Sequence, residues 1–300
     1  MELIVQQLFI LYLFIAAGWL IGKKDQTKAS HSGILSVLLV NLLLPCKIFQ
    51  SFATNFTITF FKERYSFLFA SLILLAVLIV FGYMGARLMT KHPYERKIYR
   101  YCLVVTNYAY LGYVLIEAVF GQAMLTNFVF FAIPFIVYTY TFGYTLLTEG
   151  KNPWKRLLNP MTVSIVLGMA FGISGFSLPQ LFAKAISMAS SCVGPISMLL
   201  TGLTLSAFSL KEMFLDPKAY LFSGLRLLLI PAVVFLICRV LHLDAVSLMM
   251  VMITCMPCGL NTIVFPKLAG EDCRLSARLT LVSHLFALPT LMFWLWMLQG

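Results

Sequence analysis

Two stretches of this sequence place polar and helix-breaking residues where everything around them is apolar. One reads Thr106-Asn107-Tyr108-Ala109-Tyr110-Leu111-Gly112, the other Thr254-Cys255-Met256-Pro257-Cys258-Gly259-Leu260-Asn261-Thr262. Pro257 removes a backbone donor, and Gly259 loosens the turn beside it. Backbone groups freed in this way cannot face lipid, so such a stretch must line a cavity or pack inside protein. A broken helix also leaves half-helix N-termini, whose partial positive charge suits a carboxylate. Asn107 and Asn261 add donors and an acceptor without a charge to desolvate. That combination fits a site that must bind and then release. The competing use of two intramembrane asparagines is interhelical hydrogen bonding alone. Tyr108 and Gly112, beside Asn107, are further candidates for substrate contact, and Pro45 and Pro195 are candidate helix breaks like Pro257.

Three ionisable residues inside apolar runs are weighed as candidates for function. Lys47 follows Pro45 and either attracts an anionic substrate into a cavity or snorkels to the nearby interface. Glu117 is an acid well inside an apolar run, either carrying a coupling proton or sitting at the interface. His284 is the histidine in such a run. The four Asp residues (25, 216, 244 and 272) fall in loops or at span ends, so no paired carboxylates are available for cation exchange. No HExxH, GxSxG or phosphate-binding glycine loop occurs, which argues against a membrane enzyme. Cys255 and Cys258 have the spacing of a redox or metal pair but lack a βαβ context and a second ligand pair. No cofactor or metal is expected.

The elements that hold these residues follow from composition. Of 300 residues, 61% are hydrophobic and 11% charged. Soluble domains are nearer half apolar and a quarter charged, so the natural solvent here is lipid. About 20 apolar residues span a bilayer. Runs divide into spans near 3–22, 33–53, 66–89, 98–120 and 124–147, then 159–177, 183–206, 218–241, 244–266 and 274–298. A basic linker at 149–158 separates a first half, 1–148, from a second, 159–300. The N-terminal run is too long, and its flanks are wrong, for a cleaved signal.

Basic residues collect in alternate loops. One side holds Lys23, Lys24, Lys28, Arg87, Lys91, Arg96, Lys97, Arg100, Lys151, Lys155, Arg156, Lys211, Lys218, Lys267, Arg274 and Arg278. The other holds Lys62, Arg64, Lys184 and Arg239, while Lys47 and Arg226 remain within spans. The asymmetry puts the linker in the cytoplasm and both termini outside. It also accounts for the net charge of +11 without nucleic acid, which no basic, aromatic-rich polar segment suggests.

The halves echo one another at an offset of about 150 residues. Gly18 and Gly22 match Gly168 and Gly172, Pro45 matches Pro195, and Asn107 matches Asn261 more loosely. Five spans is an odd number, so a repeat must insert upside down, as recurs in transporters.

In order and spacing, Asn41-Leu-Leu-Leu-Pro45, Asn107 with Gly112, Asn159-Pro160, Pro195 with Gly202-Leu-Thr-Leu205, and Pro257 with Asn261 carry a resemblance over essentially the whole chain. The sequence resembles the auxin efflux carrier family, which includes plant PIN proteins and bacterial malate and malonate permeases. The resemblance implies an all-α polytopic membrane protein of ten helices in two inverted five-helix repeats, with helices four and nine broken and crossing. It implies an elevator-type cycle for organic anions in the bacterial cytoplasmic membrane, with substrate at residues matching Asn107 and Asn261. A homodimer is expected by analogy. Val114 stands where the family usually has proline and Ala109 where it has glycine, which implies a less broken fourth helix. Lys47 stands where an apolar residue is common, which suggests a dicarboxylate.

Four function classes follow: a secondary carrier of small carboxylates, a sodium-coupled anion symporter resembling bile-acid transporters, a non-transporting sensor and a membrane enzyme. The symporter needs clustered intramembrane acids, which this sequence lacks. A sensor usually carries a signalling domain. The carrier is the preferred expectation, with substrate anion and membrane lipid as its partners.

Overall fold

A computed structural model describes residues 2–24, 28–148, 150, 152–214 and 216–299. Asp25 and Lys151 lie outside the described residues. All regular structure among these residues is helical: α1 (Glu2–Lys24), α2 (Ser32–Asn55), α3 (Ile58–Met89), α4 (Pro93–Val104), α5 (Tyr108–Phe120), α6 (Gln122–Thr148), α7 (Pro160–Ser174), α8 (Gln180–Ser206), α9 (Pro217–Val240), α10 (Asp244–Cys255), α11 (Asn261–Leu268) and α12 (Arg274–Gln299). Seven, α1, α2, α3, α6, α8, α9 and α12, are long and apolar enough to cross a membrane, while α5, α7 and α10 are shorter apolar helices. Along α3 the outward row Phe69, Ile73, Val77, Val80 and Met84 is exposed. A continuous apolar face of that size is stable against lipid, not water. The chain is a polytopic membrane protein.

Helix ends follow local rules. Asn159 caps α7 by accepting hydrogen bonds from the Met161 and Thr162 amides, with Pro160 in the first turn, where its missing donor is harmless. Thr57 caps α3 by accepting from the Phe60 amide. That cap starts α3 at residue 58, so the expected third span begins about two turns earlier than its apolar run and takes in Lys62 and Arg64.

The helices form two packing groups. In the first, α1 lies along α8 and α2 along α7. Neither contact tolerates a Cβ: Gly18 lies on the Leu199 carbonyl, Gly202 on that of Ile15, and Gly172 on those of Phe52 and Phe56. Small residues let the backbones approach and gain dispersion contact where lipid offers no hydrophobic drive. The two glycine pairs noted in the sequence therefore do the same work, Gly18/Gly22 against α8 and Gly168/Gly172 against α2. The second group is α3–α6 with α9–α12, in which α3 packs on α4 and α6, and α9 on α10 and α12. Side chains tie the groups together across the seam. Ser51 and Asn55 on α2 bond Thr126 on α6 at 2.9 and 3.0 Å, and the Ser197 hydroxyl on α8 donates to the Tyr110 carbonyl at 3.1 Å.

The expected fourth and ninth spans are each two helices, broken between α4 and α5 and between α10 and α11. Pro45 and Pro195 do not mark comparable breaks. Pro45 follows a π turn at Leu39–Leu43 and Pro195 follows the single turn residue Cys192, and both helices continue. In α2 the widened turn absorbs the missing donor without opening the helix.

Candidate functional site at the crossing of two broken helices

The two breaks cross and hold each other. Thr106 and Cys258 form an antiparallel bridge, and the Asn107 amide donates to the Pro257 carbonyl at 2.8 Å. The Thr106 hydroxyl donates to the Ile253 carbonyl at 2.9 Å, satisfying an end group of α10. The Ser283 hydroxyl on α12 accepts from the Cys258 amide at 3.1 Å. Gly259 lies against the Thr106 carbonyl, where an added Cβ would stand 3.0 Å from its oxygen. Glycine is thus required for close approach at the point where the chains cross.

The first break does not depend on proline. Ala109 and Val114 were expected to leave the fourth helix more continuous, yet α4 ends at Val104. The reason is tertiary. Thr106 and Asn107 give their polar groups to the other break, while Ala109 lies in the π turn Tyr108–Gly112 that restarts the helix. Gly112 packs against Phe128 and Met256, and the Tyr108 hydroxyl bonds Thr139 at 3.3 Å.

The two asparagines occupy different environments. Asn261, the first residue of α11, accepts from the Tyr110 hydroxyl at 3.2 Å and also bonds Tyr140. It lines a cavity of about 730 Å³ together with Ser36, Asn41, Tyr140, Tyr144 and Asn159. This cavity lies between the packing groups and opens at the linker, where Lys155 and Arg156 line it and Arg156 stacks over the Tyr144 ring, 3.6 Å from its centre. Asn107 is buried and does not line the cavity. Its side-chain nitrogen lies 3.0 Å from His284 Nε2, while His284 Nδ1 lies 2.8 Å from the Thr280 carbonyl. A carbonyl only accepts, so Nδ1 carries the proton, Nε2 accepts, and the Asn107 amide is the donor. Asn107 Oδ1 is left buried without a partner.

Lys47 and Glu117 form an ion pair, Lys47 from α2 and Glu117 from α5. Lys47 is buried, so it is not snorkelling, and Glu117 is half-buried. Neither lines the cavity. Pro257 and Gly259 sit at the crossing, whereas Pro45 and Pro195 sit elsewhere, on α2 and α8.

Sequence reasoning passed over several residues here. Tyr110 and Tyr140 hold Asn261, and Arg226, fully buried, donates from Nη1 to the Leu103 carbonyl at 3.3 Å. An Arg at the centre of the apolar run 217–240, away from its charged ends, was the available signal. Four π turns lie among the described residues, and they carry Asn41, Tyr110, Tyr140 and Arg226. Such turns rotate the following helix and recur at functional sites. A separate cleft of about 680 Å³ is lined by Asp216, Asp272, Arg274 and Arg278, whose charges pair with one another. It does not reach the crossing.

Comparison of the sequence with known proteins points to transport. The family model described as "Membrane transport protein" matches twice, over residues 3–152 and 144–295. A curated protein of Methanocaldococcus jannaschii, named an uncharacterized transporter, is 25% identical over 287 residues, which cover 90% of this chain and 91% of the relative.

Proposed function

The chain belongs to the membrane transport protein family, the family of the auxin efflux carriers, and on that premise we propose that it is a secondary carrier of small organic carboxylates. It is a transport protein and not an enzyme. The observation that carries the substrate reading is the cavity whose mostly apolar wall carries Asn261, at the N-terminus of α11, with Asn41, Tyr140 and Tyr144. Half-helix N-termini attract a carboxylate, and neutral Asn and Tyr side chains hold it without binding it irreversibly. Asn107, with its unpartnered Oδ1, backs the same crossing, with Tyr108 and Gly112 shaping it.

In this reading the chain has ten spans in two inverted repeats, 1–148 and 159–300 about the linker 149–158. The doubled family match, the equivalent work of the two glycine pairs and the pair of crossing breaks support it. The group α1, α2, α7 and α8 is the frame, and the other helices move against it as an elevator. The cavity opens at the linker, so this is the inward-facing state of a carrier whose termini lie outside the bacterial cytoplasmic membrane. Lys47 and Glu117 then latch the closed side, and a proton on Glu117 releases the latch. The membrane potential or a proton gradient supplies the energy, and moving one charge through 100 mV is worth about 2.3 kcal/mol, enough to drive gradients without ATP. The lipid bilayer is the surrounding partner and a homodimer the assembly.

Thermal unfolding of the purified protein against a panel of organic acids tests the proposal. A midpoint raised by a carboxylate in the wild type and unchanged in Asn261→Ala supports it. No response to any acid sinks the carboxylate assignment.

A further inference from the structure

A groove of about 790 Å³ runs between α3 and α6 and shares no residue with the cavity that carries Asn261. Leu68, Leu72, Leu75 and Ile79 on α3 line it opposite Ile133 and Val137 on α6, and Val104 on α4 is part of its floor. The α3 residues share one helix face, which continues to Tyr83 and is about 22 Å long from Leu68 at the helical rise per residue. Pro134 and the π turn Thr139–Gly143 interrupt the regular ladder of α6 along this stretch. Such irregularities bend a helix and open room beside it.

One end of the groove is charged. Gly82 and Gly85 let α3 close on α4, and a Cβ added at Gly82 would stand 3.2 Å from the Arg100 carbonyl oxygen. That approach sets Arg100 beside Tyr83. The guanidiniums of Arg100 and Arg87 both lie over the Tyr83 ring, each 4.2 Å from its centre. Arg87 also donates to the Tyr83 hydroxyl. Among the described residues no carboxylate pairs with either arginine, and Arg100 Nε is buried without a hydrogen-bond partner. Phe142, on the α6 wall, packs on Trp154 of the linker, so the charged end is the linker side. Two cations therefore converge at the end of an apolar groove with no acid to balance them.

We propose that this groove binds an anionic phospholipid of the linker-side leaflet, one acyl chain lying along Leu68 to Ile79 and the phosphate held by Arg87 and Arg100. The hydrocarbon of one leaflet is about 15 Å deep, so the groove accommodates a chain over that whole depth. A guanidinium stacked on a ring keeps its in-plane N–H groups free, and that fork matches phosphate oxygens. Charge complementarity is what separates this site from the rest of the lipid-facing surface, where any acyl chain serves. Basic pockets between transmembrane helices take anionic headgroups on the same grounds. The inference depends neither on the identity of the transported substrate nor on the elevator cycle.

The test offers the detergent-purified full chain equal amounts of dioleoyl phosphatidylglycerol and dioleoyl phosphatidylcholine and counts retained lipid by native mass spectrometry. The wild type is expected to hold phosphatidylglycerol about tenfold more tightly, the scale of one charge-assisted hydrogen bond. Arg87→Gln with Arg100→Gln is expected to lose that preference. Lys24→Gln with Lys211→Gln, which removes the same charge from exposed positions elsewhere, is expected to keep it. Leu72→Trp, which fills the groove from an exposed position, is expected to weaken retention of both lipids. Equal retention of the two lipids by the wild type overturns the proposal, and that comparison requires no variant to fold. So does a preference lost equally in both double variants, which would mark a diffuse attraction of the whole basic face. So does retention untouched by Leu72→Trp, or displacement of phosphatidylglycerol by an equal concentration of inorganic phosphate, since a phosphate site alone needs no groove.

Discussion

Lys47 on α2 and Glu117 on α5 form an ion pair across the seam between the two packing groups. The partners differ in exposure, Lys47 being 2% and Glu117 34% exposed. Removing one partner of a buried pair is costly because the other is left uncompensated, by about 3–5 kcal/mol when burial is complete. Glu117→Ala strands a buried ammonium, whereas Lys47→Ala strands a carboxylate that water already reaches. Glu117→Ala is therefore expected to lower the unfolding midpoint more than Lys47→Ala, and thermal melts of both variants check the order. Equal losses would mean that Lys47 finds water or another acceptor.

The same pair bears on substrate choice. An ammonium neutralised by Glu117 and absent from the cavity wall gives no preference for a second carboxylate, so the dicarboxylate expectation drawn from Lys47 loses its basis. Lys47→Ala is expected to leave the ranking of mono- and dicarboxylates unchanged in proteoliposome uptake. A selective loss of dicarboxylate transport would restore that expectation.

Asn261 faces the cavity and Asn107 faces His284, so the two asparagines should respond differently. A ligand at a hundredfold excess over its dissociation constant stabilises by about 2.7 kcal/mol. Asn261→Ala is expected to abolish that gain, and to cost some ligand-free stability because the buried Tyr110 hydroxyl loses its acceptor. Asn107→Ala is expected to lower the ligand-free midpoint as well, because His284 Nε2 loses its donor in a buried site. A buried acceptor left unsatisfied costs about 1–3 kcal/mol. Identical melts for the two variants would contradict the asymmetry.

The cavity opens at the linker and is lined by Asn41 and Ser36. With the native cysteines replaced, Asn41→Cys is expected to react with a membrane-impermeant thiol reagent from the linker side only. Vesicles of both orientations check this. Labelling from the opposite face would reverse the topology.

Gly18 and Gly202 bring α1 and α8 into backbone contact. Overpacking typically costs about 1–3 kcal/mol, and occasionally more. Gly202→Leu is expected to reach the upper end of that range, since what an added side chain would meet is the backbone of Ile15 and Trp19 rather than a movable side chain. A midpoint within experimental scatter of wild type would show that the helices can part freely.

By itself the sequence determined the elements and where they fail. Lipid has no hydrogen bonds to offer, so apolar length marked ten candidate spans, seven of which are long helices in the structure, and the polar runs around Asn107 and Pro257 marked where the chain breaks, though not how completely the first one does. The glycine pairs marked close helix contacts because a missing Cβ is a local property. What it did not determine was which groups meet. Lys47 and Glu117 are 70 residues apart, and Asn107 and His284 are 177 apart. Their pairing depends on how helices rotate when packed, and a π turn shifts that rotation without a signature in hydropathy. Arg226 shows the same division. The sequence displays an arginine in an apolar run, but only the packed structure brings it to the Leu103 carbonyl at the end of α4.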